Sequence, residues 1–179
     1  MVFLAAGLMG MACSNDDSGL PPASCTGAGC TCGQQNSCAC VAGTDCKTTC
    51  SADGCAVRCE TGAKCNATSE GPTMLTCNDS SECKGNGGDG SGIICVATSK
   101  CELKAGARSV ATCSIAANCK LNLGAGSTVS CADASNCEVK CAGDCAVTCG
   151  ALATCKLNCG PGDLPATKCP DGRQVCGRC

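Results

Sequence analysis

The sequence predicts an all-β fold, a disulfide-stapled β-solenoid (β-helix) of about seven 18-residue coils. Three observations carry this expectation. Cysteine supplies 27 of the 179 residues, beyond the share at which composition alone marks a disulfide scaffold. There is one Phe and no Tyr or Trp, so the side chains that bury most area in ordinary cores are nearly absent. Finally, Cys59, Cys65, Cys77, Cys83, Cys95, Cys101, Cys113, Cys119, Cys131, Cys137, Cys149 and Cys155 advance by six and then twelve without error.

The repeat is C-x5-C-x11, and Cys40 and Cys46 begin an earlier copy stretched to nineteen residues. With each unit numbered from its first Cys, position 17 holds Leu75, Ile93, Ala111, Val129 and Val147, and Val57 is its counterpart in the stretched copy. Position 9 holds Leu103, Leu121, Val139 and Leu157, and position 11 holds Ala105, Leu123, Cys141 and Cys159. Positions 7, 9 and 11 therefore point inward and the residues between them outward, the period of two of a strand. Positions 11 to 15 read AGARS, LGAGS, CAGDC and CGPGD, residues suited to a corner. Each unit is two short strands and two turns. Parallel stacking places each coil about 4.8 Å above the last and gives a rod roughly 30–35 Å long.

The outward columns support the same stacking. Position 8 reads Lys84, Glu102, Lys120, Glu138, Lys156, and position 10 reads Asn86, Lys104, Asn122, Lys140, Asn158. A uniform Lys column would repel itself, whereas alternating signs attract weakly, ~0–1 kcal/mol per exposed pair. The pattern reads as a solvated face that fixes register, with a charged binding stripe as the alternative.

Within a coil, positions 1 and 7 face inward across a five-residue turn. The predicted pairs are Cys40–Cys46, Cys59–Cys65, Cys77–Cys83, Cys95–Cys101, Cys113–Cys119, Cys131–Cys137 and Cys149–Cys155, each stabilising by ~2 kcal/mol. Extra cysteines would pin the opposite turn through Cys50–Cys55 and Cys141–Cys145. The rival scheme links the same position in successive coils, whose Cα atoms fall in the same bonding range. Cys25, Cys30, Cys32 and Cys38 before the coils, and Cys159, Cys169, Cys176 and Cys179 after them, form caps whose connectivity the spacing leaves open. The expected organisation is a leader over 1–12, a tether over 13–24, an N-terminal cap over 25–39, the solenoid over 40–158 and a C-terminal cap over 159–179.

Residues 1–12, MVFLAAGLMGMA, are an uncharged apolar run, too short to span a bilayer and of the length of a signal h-region. Cys13 follows, then the polar, Pro-containing stretch SNDDSGLPPAS. The segment resembles a bacterial lipoprotein leader, with Gly10 where that family prefers Leu and no Lys or Arg before the apolar run. The resemblance implies lipidation of Cys13, a membrane partner through that anchor, and a place in the cell envelope, at the cell surface or otherwise secreted. Export puts the cysteines in an oxidising compartment, where disulfides persist, and an even 26 remain once Cys13 is set aside.

The C-x5-C turn carries a small residue two before its second Cys: Ala63, Ser81, Ser99, Ala117, Ser135 and Ala153. It resembles the disulfide-bridged β-helical antifreeze proteins, whose repeat is shorter and whose ice-binding face carries Thr-x-Thr rows. Here only one interrupted column, Thr76, Ile94, Thr112, Ser130 and Thr148, stands in that place. The resemblance supports the fold more than ice binding.

Other chemistry finds less support. The chain has no His, which removes the usual base of Ser and Cys nucleophiles and the commonest metal ligand. A net charge of -2 and a pI near 5.0 argue against nucleic-acid binding. CTC at 30–32 and CAC at 38–40 have thiolate-cluster spacing, but most cysteines recur at six and twelve. GNGGDGSGI over 85–93 faintly resembles a calcium-binding nonapeptide, in a single copy with Gly92 in place of the Asp. CGRC at 176–179 has a CxxC spacing without the βαβ context of a redox motif. The expectation is a non-enzyme with no catalytic residue, cofactor or metal site, acting as a structural or adhesive surface protein. The runner-up is a binding module for carbohydrate or another surface through a flat solenoid face, and the protein or glycan partner is open.

Overall fold

The computed structural model of the chain describes residues 23–33, 36–51 and 54–179. The leader, Cys13 and most of the tether lie outside the described residues. The fold is a β-solenoid of about seven turns. Each coil contributes one strand to each of two facing sheets, because the unit contains two runs of period-two alternation separated by two corners.

The wider sheet is built from Asp45–Thr49, Lys64–Thr68, Glu82–Gly87, Lys100–Ala105, Asn118–Leu123, Asn136–Cys141 and Thr154–Cys159. The narrower sheet is built from Ser37–Cys40, Cys55–Cys59, Thr73–Cys77, Gly92–Cys95, Val110–Cys113, Thr128–Cys131 and Ala146–Cys149. Successive strands pair in parallel at one repeat length, so that Cys101 aligns with Cys83 below and Cys119 above, and Leu103 aligns with Gly85 and Leu121. The nineteen-residue copy keeps this alignment. Cys40 pairs with Cys59 and Cys46 with Cys65, whereas Cys55 already pairs with Thr73 at the regular eighteen. The extra residue is therefore absorbed at the corner between Thr49 and Cys55.

The interior is a set of vertical columns. Leu75, Ile93, Leu103, Val139 and Val147 are fully buried beside the repeat cysteines. Small side chains, among them Ala63, Ala67, Ala111, Ala117 and the buried serines, complete the interior. One corner takes a left-handed residue at position 4 in coil after coil: Gly43, Gly62, Ser80, Thr98, Ala116 and Ala134. The other takes one at position 14, in Gly90, Arg108, Gly126 and Asp144. Both ends are closed by short antiparallel strands. Ser24–Thr26 lies against Asp45–Thr49 and Cys30–Cys32 against Ser37–Cys40, while Leu164–Pro165 and Gln174–Val175 cover the last coil. These strands occupy the open edges that a parallel stack would otherwise present to another chain.

Candidate functional site

Three features of this stack can carry chemistry: the sulfur columns in the lumen, the narrow outer face and the wide outer face.

Inside, the sulfurs at bonding distance belong to the same coil: Cys40 with Cys46, Cys59 with Cys65, Cys77 with Cys83, Cys95 with Cys101, Cys113 with Cys119, Cys131 with Cys137 and Cys149 with Cys155. Their Cα atoms are 5.8–6.6 Å apart. At the opposite corner Cys50 meets Cys55 and Cys141 meets Cys145. The caps pair as Cys25–Cys30, Cys32–Cys38, Cys159–Cys176 and Cys169–Cys179. The rungs are crowded vertically as well. The Sγ atoms of Cys113, Cys119 and Cys137 lie within 4.8 Å of one another, as do those of Cys95, Cys101 and Cys119. Reduced, such a triplet has the donor atoms of a soft-metal site; as disulfides the sulfurs are not thiolate ligands.

The corner hydroxyls form a column that the spacing of cysteines conceals. At position 15, Ser127 Oγ accepts the Ser109 N–H at 3.1 Å and donates to the Gly124 carbonyl at 2.7 Å. Ser91 repeats this with Thr73 N–H and the Gly88 carbonyl. In the CAGDC unit Cys145 stands at the same position and bonds to Cys141. These corners are thus tied either by a serine hydroxyl or by a disulfide, whereas the Thr73 hydroxyl at the same position has no partner. The shared final Ser of AGARS and LGAGS is the signal that reveals the column.

The narrow outer face is formed by positions 16 and 18. Met74, Ile94 and Val110 are exposed there among Thr76, Thr112, Thr128, Ser130 and Thr148, and Arg58 is its charged residue. The Thr-containing column therefore faces solvent, with an apolar column beside it rather than a second row of Thr.

The wide outer face differs sharply. Its three columns, positions 6, 8 and 10, carry Lys47, Lys64, Lys84, Lys100, Lys104, Lys120, Lys140 and Lys156 together with Asp45, Glu82, Glu102 and Glu138. Vertical neighbours pair: Lys84 Nζ lies 3.3 Å from Glu102 and Lys100 Nζ 3.7 Å from Glu82. Lys140 donates to Asp163 at 2.8 Å, and this hydrogen bond and charge hold its ammonium above the usual lysine range. Between the columns runs a shallow groove of about 470 Å³ over Gly85, Leu103 and Leu121, flanked by Lys84, Lys104 and Lys120. Positions 8 and 10 carry the excess, six lysines against Glu102 and Glu138, while position 6 is balanced, with Lys64 and Lys100 against Asp45 and Glu82. The segment 85–93 is divided among a strand of this sheet, the following corner and the start of the next strand of the narrow sheet, and Asp89 in the corner accepts the Ala107 N–H at 2.8 Å.

No protein-family model, curated protein or solved structure matches this chain.

Proposed function

We propose that the chain is a non-enzymatic exported surface protein, a lipid-anchored rigid rod serving in envelope structure or adhesion. The observation that carries this reading is the lumen, filled along its length by disulfide rungs and small apolar side chains. Such an interior gives stiffness without aromatic rings, and it leaves the two outer faces as the surfaces available to partners. Antiparallel strands at both ends support a rod that stays a single unit rather than growing by edge pairing. Thiol pairing on this scale belongs to an oxidising compartment, in agreement with the apolar run that ends at Cys13.

The test is fractionation of cells expressing the full chain or its Cys13→Ala variant. The reading expects wild type in the membrane fraction and the variant in the soluble or secreted fraction. A variant that stays membrane-bound removes the lipid anchor from the proposal.

A further inference from the structure

We infer that the wide outer face is a docking surface for an acidic polysaccharide lying along the solenoid axis. The inference deepens the adhesion reading by naming the chemistry of the surface contacted, and rests on that reading for its biological setting.

Charge segregation carries the argument. The whole chain has a formal charge of -2. The three strand columns of the wide face, with eight lysines and four carboxylates, stand at +4, which leaves the remainder of the chain, including Asp163 against Lys140, at -6. Eight of the nine lysines share this face while every arginine lies elsewhere. A register device needs only alternating signs; it does not need an excess of four positive charges on an acidic protein. Exposed charge of one net sign concentrates and steers ligands of the other.

The excess is also ordered. Lys84, Lys104, Lys120, Lys140 and Lys156 alternate between positions 8 and 10, one coil at a time. They form a zigzag that climbs about 4.8 Å per step. Among the described residues Lys104, Lys120 and Lys156 make no ion pair, so their ammonium groups are available to an anion.

What lies between the lysines selects the kind of polyanion. Asn86, Asn122 and Asn158 alternate with the lysines of position 10, and Glu102 and Glu138 with those of position 8. Amides and carboxylates there can exchange hydrogen bonds with the hydroxyls of a sugar chain, while the ammonium groups meet its acid groups. Single-stranded nucleic acid would need aromatic platforms for its bases, and the face has none. The groove runs with the columns, which orients a linear chain parallel to the axis.

The test uses the purified full chain in detergent, so that it reads out whether or not Cys13 is lipidated. Binding is measured to carboxymethyl-dextran, to unmodified dextran with the same backbone, and to duplex DNA. The expected result is salt-sensitive binding to carboxymethyl-dextran alone. The triple variant Lys104→Gln/Lys120→Gln/Lys156→Gln should weaken it at least tenfold, while Arg58→Gln/Arg108→Gln/Lys168→Gln, with the same change in net charge off the face, leaves it within twofold. Unchanged melting of both triples keeps folding out of the comparison. Equal loss in the two triples, equal binding to unmodified dextran, or tighter binding to DNA overturns the inference. Failure of this contact leaves the fractionation result for Cys13→Ala standing, and failure of the anchor leaves the dextran result standing.

Discussion

Gly124 passes directly over Ala107 of the coil below, so closely that a Cβ on Gly124 would stand 2.5 Å from the Ala107 amide nitrogen. The same crowding recurs at position 12, where Gly106 lies against Asp89 and Gly88 against Glu70. Corners stack backbone on backbone here, and the spacing between coils is set by the sheets, so neither side can yield.

Gly124→Ala is therefore expected to destabilise the rod by roughly 1–3 kcal/mol, the usual cost of overpacking. Gly92→Ala is the contrast. Its Cβ would meet the Cε of Met74 at 2.6 Å, the far end of a flexible and exposed side chain, and should cost less than ~1 kcal/mol. Denaturant unfolding of the two variants checks the ranking; equal losses would place the strain outside the corner.

Ile115 is 56% exposed with φ of 57°, a left-handed conformation that a β-branched residue adopts at a cost of ~1–2 kcal/mol. Ile115→Gly should raise stability by about 1 kcal/mol despite the larger unfolded-state entropy of glycine. Thermal melting reads this directly, and a fall in melting temperature would contradict it.

Position 5 supplies a matched pair. Ser99 Oγ donates to the Val96 carbonyl at 2.6 Å, whereas the buried Ser135 Oγ has no partner. Ser135→Ala should be neutral or stabilising by up to ~1 kcal/mol, since Ala already stands at this place in Ala63, Ala117 and Ala153. Ser99→Ala should lose ~1 kcal/mol. The two signs, measured by chemical denaturation under the same conditions, must differ.

Removing one sulfur should set off exchange along the column. In Cys119→Ala the thiol of Cys113 is left within 4.8 Å of the Cys137 sulfur, positioned for thiolate attack that would release Cys131. Peptide mass spectrometry should find a Cys113–Cys137 link with a free thiol at Cys131. The double variant Cys113→Ala/Cys119→Ala should show neither, and should lose only the ~2 kcal/mol of one short loop. A free Cys113 with Cys131–Cys137 intact in the single variant would show that the rungs do not communicate.

The fold was legible because one short pattern is repeated with little variation. Cys at positions 1 and 7, apolar residues at 9 and 17, and Gly, Ser and Asp at the corners define two strands and two turns, and a period of eighteen leaves parallel stacking as the way to bury the inward columns. The closing strands were not legible: Cys30–Cys32 and Gln174–Val175 have no repeat behind them, and their pairing depends on the edges that the finished coils expose. Nor does spacing say where the extra residue of the stretched copy sits; the register of Cys55 with Thr73 locates it. The alternating signs of position 8 also understate the wide face, since the charge of that face is a sum over all its columns.

By itself, then, the sequence determined the solenoid, its period and its inward columns, because those follow from local alternation repeated at constant spacing. Only the tertiary structure decided which backbone atoms crowd Gly124, how the ends are covered, and that eight lysines gather on one face of an acidic chain. These are properties of contacts between successive coils, or between a coil and a cap, where stacking and closure, rather than any one segment, bring atoms together.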